Sequence, residues 1–253
     1  DPELYWDPDP SAIDKTYTKI GGWVRDFKFD PFKWGIAIPP RVMTVMDDAQ
    51  KFAIAASHQA LTDYGYPQRQ IDPARVAVIL GNAMAGEMHY RTTMRILMPE
   101  YARALSQSNT FKQLPVEIQK ELLQGMQDGI WSKTPGITED TMPGELGNII
   151  AGRVANVFNF AGPNYVTDAA CASSLAAIQG AIEGLNSYQF DAALTGGVDR
   201  NMGVESYVKF CKIGALSQDG SRPYADGANG FVMGEGAVII LLKRLADAER
   251  DGD

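Results

Sequence analysis

Asp168-Ala169-Ala170-Cys171-Ala172-Ser173-Ser174-Leu175 is the stretch on which the reading of this chain turns. Tyr165, Val166 and Thr167 lead into it as a short extended run of β-formers. Behind it, Leu175, Ile178, Gln179, Ile182 and Leu185 follow at helical spacing. The cysteine is therefore expected on a tight strand-to-helix turn, with its sulfur at a helix N-terminus. There the first backbone N–H groups lack partners and the dipole is positive, which favours a thiolate. Its alanine and serine neighbours leave room for an acyl group. A lone cysteine in a helix is more often an inert buried side chain; the turn and the small neighbours argue here for a nucleophile.

Outward from this turn the chain alternates buried β runs with helices, the pattern of an α/β layered fold. Strands are expected at 75–80, 165–167, 191–195, 231–233 and 237–243. The first forty residues are irregular and aromatic. Thr44 is the expected N-cap of a helix that carries Val45, Ala49, Phe52, Ala53, Ala56 and Ala60 on one face and ends at Gly65. Residues 84–128 read as mostly helical, with Pro99 and Pro115 as breaks or first-turn residues. Residues 129–147 read as a loop, followed by helices over 145–157 and 204–212. No internal repeat is visible.

The 253 residues carry a net charge of −8, which argues against a nucleic-acid or anionic-membrane surface. No apolar run is long enough to span a bilayer. The two cysteines, Cys171 and Cys211, are no disulfide framework for a chain of this length, which points to a reducing, cytoplasmic setting. The first residue is Asp1 rather than Met, and the last five are Glu249-Arg250-Asp251-Gly252-Asp253, so the expectation is a segment of something longer.

Histidine is the usual partner of a cysteine nucleophile, and only His58 and His89 are present. His58 lies inside a helix beside its alanine face and reads as structural; His89 follows a Gly-rich turn and reads the same way. The partners of Cys171 are expected outside this chain. Two cysteines forty residues apart with no nearby histidine make no metal site. The turn Gly81-Asn82-Ala83-Met84-Ala85-Gly86 lacks both the dinucleotide glycine spacing and the Lys-Ser/Thr of a P-loop, so no nucleotide site is expected.

The cysteine motif resembles the active-site motif of β-ketoacyl synthases in multidomain fatty acid and polyketide synthases. Three further segments follow the family's order. They are Gly147-Asn148-Ile149-Ile150-Ala151-Gly152-Arg153-Val154 with Gly162-Pro163, then Asp191-Ala192-Ala193-Leu194-Thr195-Gly196-Gly197-Val198, then the stretch from Leu216 to Gly234-Glu235-Gly236. Tyr17-Thr18-Lys19-Ile20-Gly21-Gly22-Trp23 is most similar to the synthases of polyunsaturated fatty acid systems. The resemblance implies a thiolase-like layered α/β fold of two similar halves, with residues 1–253 forming mainly the first half and incomplete at both ends. The family's catalytic histidines and lysine would lie in the second half.

Carried over residue by residue, Cys171 accepts an acyl chain from the phosphopantetheine of an acyl carrier protein, and a decarboxylative Claisen condensation with malonyl carrier protein extends that chain. Phe231 matches an aromatic at the malonyl side of the pocket; a strand-core role weighs equally. Asp226 and Glu235 read as buried structural carboxylates. No cofactor is expected to bind directly. The implied partners are acyl carrier protein domains, other synthase domains and a second copy, paired through residues 165–168. A non-condensing, chain-length-shaping partner protein is disfavoured by the intact cysteine, and a thioester hydrolase by Ala169 and Ser173 standing where a nucleophile elbow carries glycines. A purely structural docking segment is the remaining alternative.

Overall fold

The computed structural model describes residues 2–253. Four strands form one sheet: β1 (Val76–Gly81), β2 (Asn164–Thr167), β3 (Ala192–Asp199) and β4 (Gly236–Lys243). Their order is β2-β1-β3-β4, with β1 parallel to both neighbours and β4 antiparallel to β3. The helices are α1 (Pro40–Val45), α2 (Asp48–Tyr64), α3 (Met88–Gln107), α4 (Asn109–Lys112), α5 (Val116–Trp131), α6 (Thr141–Glu145), α7 (Ile149–Phe158), α8 (Ser173–Asn186), α9 (Val204–Lys212) and α10 (Leu245–Asp251).

Every residue of β1 is buried, as expected of a parallel strand covered on both faces. Val76, Val78 and Leu80 pack with Phe52, Ala53 and Ile54 of α2 and Ile150, Ala151 and Val154 of α7. The alternate residues, Ala77 and Ile79, meet Ala177, Ala181 and Leu185 of α8. The sheet is thus a middle layer, with α2 and α7 on one side and α8 on the other. A third cluster, Met202, Tyr207, Cys211, Leu216 and Met233, lies against Tyr17 and Trp23 of the N-terminal segment.

One ion-pair group fixes the far end of α8. Arg244, just after β4, donates to the Leu185 and Phe190 carbonyls at 2.9 and 2.8 Å and pairs with Asp191, which also pairs with Arg75. These guanidiniums, Arg75 first, lower the Asp191 pKa to about 2.

Several expectations are corrected. Thr44 does not cap α2: its hydroxyl donates to the Pro40 carbonyl within α1. The cap is Asp47, whose Oδ1 accepts the Ala49 N–H at 2.8 Å, because the chain is extended at Met46 and Asp47 between the two helices. Pro99 lies inside α3 instead of breaking it. The expected loop at 129–147 contains the last turn of α5 and all of α6, with Pro143 tolerated in a first turn where the N–H has no helical acceptor. Residues 231–233 form no ladder and make only the isolated bridge Leu216–Phe231, since the Val232 N–H goes to the Ser221 hydroxyl at 2.7 Å and the Met233 carbonyl accepts the Gly22 N–H at 2.8 Å.

Candidate active site

Cys171 lies in the link between β2 and α8 and is exposed. The helix begins at Ser173 with Ala172 as its cap, so the cysteine stands one residue ahead of the cap, on the turn between β2 and α8. Among the described residues, no hydrogen bond engages its backbone N–H.

The turn that presents Cys171 is held by short-range polar contacts. Ala170 is left-handed at φ +50°, a conformation that costs a residue with a Cβ about 1–2 kcal/mol. Asp168 Oδ1 accepts the Ala170 N–H at 2.8 Å. Ser173 Oγ accepts the Ala169 N–H at 2.9 Å and donates to the Ala170 carbonyl at 2.6 Å. The Ala172 and Ser173 N–H groups close onto the Ala169 and Ala170 carbonyls, both at 3.1 Å. Together these bonds offset the backbone strain.

Two glycines set the helix start directly on the sheet. Gly81 and Gly197 pair in register at the carboxyl end of β1 and near that of β3. A Cβ on Gly81 would lie 2.3 Å from the Ser173 carbonyl carbon, and one on Gly197 2.7 Å from Ser174 Cβ. Any larger residue would push α8 off the strand ends.

After β1 the chain turns through Met84 and Ala85, both left-handed at φ +65° and +59°. Asn82 Nδ2 donates to the Val198 and Ala85 carbonyls at 2.9 and 3.2 Å, and Asn201 Nδ2 to those of Ala83 and Ala85 at 3.2 and 3.3 Å. Asp199, which accepts from Asn201 at 2.6 Å, has its pKa raised by burial. Nearby, Arg200 binds Glu87 at 2.8 Å and Glu235 at 2.7 Å, and Glu235 Oε1 accepts the Val24 N–H at 2.8 Å. With a side chain only 2% exposed, Glu235 is the buried structural carboxylate expected. Asp226 is not, because it lies exposed in its loop.

Phe231 is 40% exposed and sits edge-on to Phe210, with ring centroids 5.9 Å apart. Its N–H donates to the Ala215 carbonyl at 3.0 Å, and its carbonyl accepts the Ser217 N–H at 2.9 Å. It is thus neither in a strand nor buried, and among the described residues no hydrogen bond or ring pairing links it to Cys171. His58 stacks on Trp34 at 4.9 Å, and burial lowers its pKa, as befits a structural histidine. His89 is exposed at α3 and faces Glu145 at 3.8 Å. Cys211 is buried, its sulfur 3.2 Å from Thr16 Oγ1.

Among the described residues, no group of three or more His, Cys, Asp or Glu side chains could hold a metal, and no helix is long and apolar enough to cross a membrane. Sequence reasoning missed Ser173 as a brace and Gly81 and Gly197 as seats for the helix. The glycines at two strand ends were the available signal.

Residues 1–248 match the family described as "Beta-ketoacyl synthase, N-terminal domain". The chain is 31% identical over 260 residues to a polyunsaturated fatty acid synthase polypeptide of Thraustochytrium sp., covering 100% of this chain and 9% of that protein. It is also 31% identical over 255 residues to polyketide synthase PksL of Bacillus subtilis, covering 100% of this chain and 5% of that protein. An oxazolomycin ketosynthase domain from Streptomyces albus superposes with a TM-score of 0.74 at 28% identity, over 100% of this chain and 37% of the other. The ketosynthase from module 6 of the Bacillus subtilis bacillaene synthase gives 0.68 at 29% identity, over 99% and 34%.

Proposed function

The chain belongs to the β-ketoacyl synthase N-terminal domain family and has its thiolase-like α/β layering, and from that premise we propose that it supplies the nucleophilic half of a decarboxylative condensing centre. Cys171 attacks the carbonyl carbon of an acyl thioester carried on the phosphopantetheine of an acyl carrier protein. The tetrahedral oxyanion is met by the unengaged Cys171 N–H, the kind of fixed donor that lowers such barriers by a few kcal/mol. Collapse expels the carrier thiol and leaves the acyl group on Cys171. A malonyl thioester then loses carbon dioxide, and its carbanion attacks the Cys171 thioester. The thiolate leaves, and a β-ketoacyl thioester lengthened by one two-carbon unit departs on the second carrier.

The observation that carries this reading is an exposed cysteine on a braced turn, inside a family match that spans residues 1–248. Phe231, half-exposed in its loop, is proposed to line the malonyl side. Since His58 is stacked on Trp34 and His89 faces Glu145, the groups that stabilise decarboxylation are proposed to come from outside residues 1–253, and this chain alone is proposed to be inactive. Acyl carrier and other synthase domains are the proposed partners, in the cytoplasm.

The test is mass spectrometry of the full-length protein after incubation with an alkyne-tagged acyl thioester. The proposal expects the tag on Cys171, held until malonyl thioester is added. Rapid release of free acid identifies a hydrolase, and an unlabelled Cys171 leaves a structural segment.

A further inference from the structure

We propose that Ser173 is a positioning residue for Cys171, fixing through the Ala169–Ala170 turn the direction in which the sulfur and the Cys171 N–H face an incoming thioester. This rests on the reading of Cys171 as the acyl acceptor and adds a role for a side chain that never touches the substrate. Ser173 is 5% exposed and is the first residue of α8, so its Cα is set by the helix and, through Gly81, by the sheet. From that fixed point its hydroxyl engages both residues that precede the cysteine, the Ala169 N–H and the Ala170 carbonyl. The residue so gripped, Ala170, is left-handed, where a side chain other than glycine's persists only if its surroundings hold it. Asp168, exposed, provides a second grip through the Ala170 N–H. Without the hydroxyl, only the Asp168 carboxylate and the Ser173 N–H still hold Ala170 against relaxation toward negative φ. That rotation swings Cys171, the next residue, while leaving α8 and the sheet in place.

A mispositioned but still exposed thiol separates two chemistries. Alkylation by iodoacetamide needs only a thiolate that displaces iodide, so it tolerates rotation of the turn. Acyl transfer needs sulfur, carbonyl carbon and oxyanion donor aligned together, and an ångström of misplacement suffices to slow it. The experiment uses the full-length protein and measures S-acylation of Cys171 by butyryl-N-acetylcysteamine at varied concentration, alongside alkylation and thermal unfolding. Ser173→Ala is expected to lower the maximal acylation rate about tenfold, with half-saturation unchanged within about twofold. Alkylation should stay near the wild-type rate, and Ser173→Thr, which keeps the hydroxyl, should restore acylation. Asp168→Ala, at an exposed position, should lose about threefold in the same step.

A Ser173→Ala protein that acylates at the wild-type rate overturns the inference, as does one in which acylation and alkylation fall together with the unfolding temperature. If Ser173→Ala does not fold, full-rate acylation by Asp168→Ala overturns it. A wild-type protein that never acylates Cys171 instead refutes the function on which the inference rests.

Discussion

Replacing Gly81 by alanine should damage the site from beneath without altering any residue near the sulfur. The added Cβ would stand 2.3 Å from the Ser173 carbonyl carbon, 2.4 Å from its oxygen and 2.5 Å from the Ser174 nitrogen. Ordinary carbon contacts begin at about 3.5 Å, so the helix start must retreat by about an ångström. All three atoms are backbone, and no rotamer change can absorb the clash. Overpacking of this kind costs about 1–3 kcal/mol of stability. A displacement of that size at a reacting centre costs about a hundredfold in rate, equivalent to about 2.7 kcal/mol of barrier. Gly81→Ala should therefore acylate Cys171 about a hundred times more slowly while remaining folded at 25 °C. Gly125→Ala is the control: Gly125 lies inside α5 with nothing within 4 Å of the new Cβ, so it should gain about 0.5–1 kcal/mol and keep full activity. Acylation kinetics and thermal unfolding of both variants read the contrast. Wild-type acylation by Gly81→Ala would refute the claim that this contact sets the nucleophile.

Three further outcomes are expected. Asp47 caps α2 through Ala49 and also accepts the Met88 N–H of α3 at 2.8 Å, so Asp47→Ala should lose about 2–4 kcal/mol in denaturant unfolding. Asp191 titrates at about 2 when folded and at 3.8 when free, so the unfolded chain binds its proton first on acidification. The stability it contributes is complete above about pH 4 and disappears toward pH 2, and Asp191→Asn should flatten that part of the acid-unfolding curve. Finally, β2 is an edge strand carrying the exposed Tyr165, and the full-length protein is expected to pair two copies along it. Analytical ultracentrifugation at micromolar concentration should find a dimer, and a monodisperse monomer would count against this pairing.

What the sequence shows best is what local physics dictates. The strand expected at 75–80 forms at 76–81, the helix at 204–212 forms as expected, and the turn at Cys171 follows from an extended run meeting a helical one. The site's supports are legible only once distant segments meet. Arg200 reaches Glu87 and Glu235, and Asp47 ties α2 to α3, across separations that no local pattern records. Met84, Ala85 and Ala170 adopt left-handed backbone without glycine, so the usual marker for such turns is missing. Residues 231–233 have the composition of a strand, yet their backbone groups go to the Ser221 hydroxyl and to Gly22, partners remote in the sequence. The serine after the cysteine looks like a small spacer until its two hydrogen bonds are seen.

The central claim is that acyl groups pass through Cys171. It is tested most directly by supplying the full-length protein with acyl and malonyl carrier thioesters and following β-ketoacyl product by mass spectrometry, for wild type and Cys171→Ala. Cys171 is exposed and its side chain makes no hydrogen bond among the described residues, so the substitution should leave the unfolding temperature unchanged. The account predicts condensation by the wild type and its loss in Cys171→Ala, by a factor of about ten thousand or more. Product formation by Cys171→Ala at the wild-type rate would contradict it.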